Sequence, residues 1–167
     1  RRYWSYNETG IRDVIEGYRS RELPLDVVCL DMDWHGEPLT PGSEPPGPLS
    51  HCETGWGGYL WNETLFPDSA GFQRWLRDDQ GLGLMLNIHD QCGVQAYQGK
   101  VYDLMAESMG VDASTGATVG CHFQNLTFTT TYFDEVVGPK NVGPAVTWFW
   151  TDVCDLGDAG EGTGNQS

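Results

Sequence analysis

Basic residues are scarce in this chain. Its 167 residues include 9 Lys and Arg against 24 Asp and Glu, a formal net charge of -15. So few cations cannot form a basic patch of useful size, which excludes a nucleic-acid partner. An anionic membrane surface is disfavoured on the same ground. Long apolar runs are missing too. None approaches the length that a membrane-spanning helix needs, and no membrane span is expected. No signal peptide opens the chain. Cysteines at C-x-x-C spacing and histidines at H-x-x-x-H spacing, the usual marks of a zinc site, do not occur. No metal and no cofactor is expected.

The opening residues RRYWSYNETG read as mid-protein sequence, so the N-terminus is expected to be a processing site, a truncation or an edge. Four Asn-x-Ser/Thr sequons begin at Asn7, Asn62, Asn125 and Asn165. They mark N-glycosylation acceptors and favour the secretory lumen, the cell exterior or a vacuolar or lysosomal compartment. Five cysteines (Cys29, Cys52, Cys92, Cys121 and Cys154) leave one unpaired in an oxidising compartment. Cys29 lies inside the apolar run VVCLD and is expected as a small buried hydrophobe. Cys52 could pair with another loop cysteine or with a partner beyond the chain's end.

Periodicity organises the chain. Residues 7–21 predict an amphipathic helix, with Ile11, Val14, Ile15 and Tyr18 recurring at helical spacing and Thr9 available as N-cap. Residues 26–34 predict a strand of nearly continuous apolar character, as in a parallel sheet buried on both faces. Residues 37–58 form a Pro/Gly-rich insertion too long for an ordinary connection. A second helix is predicted from Asp68 to Asp79, with Phe72, Trp75 and Leu76 on one face. The strand LGLMLNIHD follows, then loop-to-helix at 94–110, helix at 128–137 and strand at 145–152. Residues 153–167 are an acidic Gly-rich loop. Alternating helices and strands predict a parallel sheet with right-handed crossovers. Three strands do not close a barrel. The expected architecture is roughly the first half of a (β/α)8 barrel, or alternatively a small open α/β sheet.

Two strands turn acidic at their C-terminal ends: VVCLDMDWH at Asp31 and Asp33, and AVTWFWTDV at Asp152. In a parallel barrel those ends face the active site. Strand alternation puts Asp31 with Asp33, Asn87 with His89, and Trp148 and Trp150 with Asp152. Carboxylates accept hydrogen bonds from hydroxyls, and indole rings cover the apolar faces of a pyranose. The expected ligand is therefore an oligosaccharide or glycoside. Asp33 reads equally as pocket wall or substrate contact, His89 as structural or ligand-binding. Trp150 leans to the pocket and Trp148 to the core. Trp56, Tyr59 and Trp61 read as aromatic packing under the long loop. The acidic residues Asp152, Asp155, Asp158 and Glu161 recur every three positions, which does not match a calcium loop.

Taken in order, the segments RYWSYNE, LPLDVVCLDMDWH, GWGGYLWNETLFPDSAGFQRWL, GLGLMLNIHD, AESMGVDASTGAT, QNLTFTTTYFDEV and VTWFWTDV resemble glycoside hydrolase family 31, a family of retaining α-glycosidases. The resemblance runs through nearly the whole chain. It implies that Asp152 is the nucleophile, that Asp31 hydrogen-bonds the sugar at the cleaved bond, and that Trp150 lines the same subsite. Asn87 and His89 match the strand entering that pocket. The chain departs from the family in its long 37–58 stretch. It departs again after the nucleophile, where Val153-Cys154-Asp155 replaces the usual W-Q-Q, so the sugar preferred stays open. No residue here matches the family's acid/base, and Asp155 and Asp158 lack motif support. The expectation is a segment of a longer enzyme, completed by the remainder of the polypeptide or an associated chain. The alternative is a non-catalytic structural or sugar-binding glycoprotein that keeps the fold.

Overall fold

A computed structural model of the chain describes residues 6–36 and 57–151. Its elements run α1 (Glu8–Arg19), β1 (Val27–Leu30), α2 (Ser69–Arg74), β2 (Gly83–Ile88), α3 (Lys100–Met109), α4 (Leu126–Thr131) and β3 (Val146–Thr151). The strands form one parallel sheet in the order β1-β2-β3. Parallel neighbours joined through helices are what the alternating pattern predicts, and the arrangement is that of a partial α/β barrel. The loop insertion at 37–58 falls outside the described residues except for Gly57 and Gly58. The acidic stretch 153–167, with Asp155, Asp158 and Glu161, falls outside them entirely.

Local chemistry adjusts several predicted boundaries. Asn7, not Thr9, caps α1, because its side chain accepts a hydrogen bond from Gly10 N at 2.8 Å. Only Ile11 and Ile15 of its apolar set are buried. Val14 and Tyr18 are exposed and instead line a cavity of about 190 Å³ against Leu25, Val27 and Leu30 at the free edge of β1. β1 also stops earlier than predicted. The Asp31 side chain accepts from the next amide, Met32 N, and the chain turns into a 3-10 helix over Met32–Trp34. Trp34 is driven into the core, where its Nε1 donates to Asn87 O at 2.6 Å.

Two of the three helices that lead directly into a strand end alike. α2 widens into a π-helical turn over Trp75–Asp79, and α4 does so over Tyr132–Val136. Phe72, Leu76, Phe128 and Val136 from these stretches are fully buried. They pack with Val28, Leu30, Leu84, Leu86 and Ile88 from one face of the sheet. Each fully buried side chain of this size contributes roughly 1.5–3 kcal/mol relative to exposure. Tyr59 is buried, and Trp61 packs edge-on against Trp34 and Phe66. Aromatic packing is thus present at Tyr59 and Trp61; Trp56 and the loop expected above them lie outside the described residues.

The other face of the sheet is open, and it corrects the reading of Cys29. Cys29 shares that face with Met85, so its thiol is free and exposed rather than buried. Cys121 is half-buried. Cys92 is disulfide-bonded.

Candidate functional site

Register places the site residues. Leu30 pairs with Leu86, which pairs with Phe149. One step further along β2, Asn87 pairs with Trp150, while Asp31 follows Leu30, the last paired residue of β1. Asn87 and Trp150 thus pair near the C-terminal ends of β2 and β3, with Asp31 just past the end of β1. The row beneath is Cys29, Met85 and Trp148.

A single irregularity decides which way the tryptophans face. Leu84 pairs with Val146, but Met85 pairs with Trp148, so Thr147 is an extra residue on β3. Were Thr147 instead paired with Met85, Trp148 would fall opposite Leu86 and face the helices. The bulge turns Trp148 and Trp150 to the open face, a re-aiming that bulges commonly perform. Both are exposed there, at 46% and 39%. Trp148, expected in the core, instead lies over Gly83: a Cβ at that glycine would sit 2.5 Å from the indole Cζ3.

Asp152 follows β3 directly in sequence and lies outside the described residues, as does Asn165. Asp33 does not follow strand alternation, because it sits in the 3-10 turn after β1. It borders the same cavity as Asp31. Asn87 and His89 are buried. Asn87 Nδ2 donates to Trp150 O at 3.4 Å, a long bond, and its Oδ1 has no hydrogen-bond partner among the described residues.

The glycosyl hydrolases family 31 TIM-barrel domain model matches residues 1–162. The chain belongs to this family. The barrel of family 31 therefore accounts for the parallel sheet. A curated relative, a 1,6-alpha-glucosyltransferase of Sporosarcina globispora, is 24% identical over 167 residues. That match covers 94% of this chain and 11% of the relative, so the chain spans about a tenth of that protein's length. Against the family 31 barrel, Asp31, Asn87 and Trp150 lie at the end of the strands where such barrels do their chemistry.

Sequence reasoning missed Asp90. This buried carboxylate follows His89, and its Oδ1 accepts the Tyr59 hydroxyl at 2.8 Å. The same oxygen accepts the Tyr132 hydroxyl. Burial pushes both phenols well above the ordinary value, with the neighbouring phenol and the Asp90 charge adding for Tyr59 and the Asp90 charge adding for Tyr132. Both therefore remain donors, and they satisfy a charge whose burial would otherwise be costly. The bonds tie the turn after β2 to the segment before α2 and to the widened end of α4. No spacing rule exposes this cluster, since its members lie 31 and 42 residues apart. The Cys121 thiol donates to the Asp90 carbonyl at 2.7 Å. Nearby, burial pushes the Tyr97 phenol up to about 12.

Proposed function

We propose that this chain is the nucleophile-bearing part of a retaining α-glycosidase that cleaves α-linked glucosides or related α-glycosides, with Asp152 as nucleophile. The observation that carries the reading is the re-aimed end of β3. The bulge at Thr147 sends Trp148 and Trp150 to the open face of the sheet, where Trp150 pairs with Asn87. Asp152 has the same strand parity as Trp150.

The chemistry needs two carboxyl groups about 5–5.5 Å apart. The Asp152 carboxylate attacks the anomeric carbon as the bond to the leaving oxygen breaks. A proton donor outside this chain protonates that oxygen. The resulting glycosyl ester is then opened by water, activated by the same group now acting as base. Asp31 accepts hydrogen bonds from sugar hydroxyls, Trp150 supplies an apolar platform, and Asp33, Asn87 and His89 shape the wall. One edge each of β1 and β3 has no ladder partner among the described residues. The remainder of the polypeptide, or an associated chain, would supply the strands that cover them and the acid/base. A location in the secretory lumen or beyond it accompanies this reading.

A second reading shares the ester but differs in acceptor: a sugar hydroxyl replaces water. The transferase named among the relatives favours it. The test is an α-glucoside-configured epoxide probe applied to the folded full-length protein, followed by peptide mapping. Label on Asp152 supports both readings, and the products formed from maltose separate hydrolysis from transfer. Absence of label counts against both and leaves the non-catalytic sugar-binding role.

A further inference from the structure

Five asparagines lie among the described residues, and their side-chain amides divide cleanly. Asn87 Nδ2 donates to Trp150 O, and Asn141 Nδ2 donates to Tyr59 O at 2.8 Å and Val136 O at 2.7 Å. Neither residue stands in a sequon. The three that do stand in sequons use only the carbonyl oxygen. Asn7 Oδ1 accepts from Gly10 N at 2.8 Å. Asn62 Oδ1 accepts from Thr64 N at 3.0 Å and Leu65 N at 3.1 Å. Asn125 Oδ1 accepts from Thr127 N at 2.9 Å and Phe128 N at 3.3 Å. Their Nδ2 atoms make no hydrogen bond among the described residues. Asn7 and Asn125 are exposed and Asn62 is half-buried, and the sequon threonines Thr9, Thr64 and Thr127 are all exposed.

We propose that Asn7, Asn62 and Asn125 carry N-linked glycans, each attached through its unengaged Nδ2. The donor is a lipid-linked pyrophosphate oligosaccharide. A bond forms between Nδ2 and the anomeric carbon of its first sugar. The bond from that carbon to the pyrophosphate oxygen breaks, the leaving oxygen keeps the electron pair, and Nδ2 loses one proton. The carbonyl oxygen is untouched, so each asparagine continues to hold its backbone amides after modification. Attachment at Asn87 or Asn141 would instead remove donors that join separate parts of the fold. At Asn125 the glycan also has surface to cover, because Leu126 beside it is 80% exposed.

The usual Asn→Gln test would confuse two effects here, since it removes the backbone cap together with the acceptor. Thr9→Val, Thr64→Val and Thr127→Val remove the sequon and leave the cap. The full-length protein, isolated from cells that make it, is treated with peptide N-glycosidase in heavy-oxygen water and mapped. Heavy aspartate is expected at positions 7, 62 and 125 and absent at 87 and 141. Each Thr→Val variant should lose the label at its own site alone, with its circular dichroism unchanged. Unlabelled asparagine at all three sites overturns the proposal. So does a label that persists in the variant lacking its threonine.

Discussion

The two faces of the sheet are built to different degrees of completion. Toward the helices, Leu84, Leu86 and Ile88 are sealed beneath α-helical side chains. On the opposite face Cys29, Trp148 and Trp150 stand exposed in register. The first face is finished by residues within this chain. The second holds large aromatic rings, which no packing argument favours leaving bare. Stability therefore resides on one face and the proposed chemistry on the other, and substitutions should separate accordingly.

The largest separation is expected from Asp152→Asn. It should lower turnover of an aryl α-glucoside by the full-length enzyme about 10⁴-fold or more, as loss of a covalent nucleophile does elsewhere. Its urea midpoint should stay near that of the parent. Retained turnover would end the assignment of the nucleophile. Next comes a matched pair on adjacent positions of β2. Leu86→Ala should cost about 2–5 kcal/mol by opening a cavity. Met85→Ala, on the open face, should cost less than half as much in urea unfolding of the 167-residue chain. Equal losses would erase the contrast between the faces.

The Asp90 cluster sharpens the comparison through pH. Tyr59 and Tyr132 have folded-state pKa values raised above the ordinary phenol value of 10.0. A raised value means the folded state holds its proton more tightly. The stabilisation is thus whole below pH about 10 and declines as pH climbs through the folded-state values. Urea midpoints should fall above that pH, and Tyr132→Phe should flatten the fall. The same variant should cost about 1.5–3 kcal/mol at neutral pH, since it removes a hydrogen bond to a charged group. The smallest effect is expected at the helix ends. Asp68 caps α2 by accepting from Gly71 N at 2.8 Å, so Asp68→Ala should cost about 1 kcal/mol without altering turnover.

Much of the frame was legible in the sequence because it follows from periodicity. The strands at β1, β2 and β3 and the helices between them come from apolar spacing, and the order of helix and strand implies parallel pairing. Where the chain departs, the cause is a side chain whose partner is distant or backbone irregularity. β1 ends early because Asp31 holds the next amide and Trp34 finds Asn87 O across 53 residues. Alternation within β3 correctly grouped Trp148 with Trp150. It could not say which face they share, because that depends on the extra residue Thr147 against β2. Cys29 was misread for a related reason: an apolar strand implies burial on both faces, yet the described residues cover only one. Asp31, Asn87 and Trp150 were legible as strand-end residues, whereas Asp90 was invisible without its two tyrosines.

The widened turns at the ends of α2 and α4 have a consequence for how this chain tolerates change in length. A π-helical turn arises where a helix carries one residue more than a regular helix of the same rise. At Trp75–Asp79 and Tyr132–Val136 that surplus sits just before the loops that lead to β2 and β3. Losing one residue inside either turn would tighten it to an ordinary helix and leave both flanks in step. Such a loss elsewhere in these helices would swing Phe72 or Phe128 away from the sheet. These two turns are thus the sites where relatives of this chain can be one residue shorter without rebuilding what surrounds them.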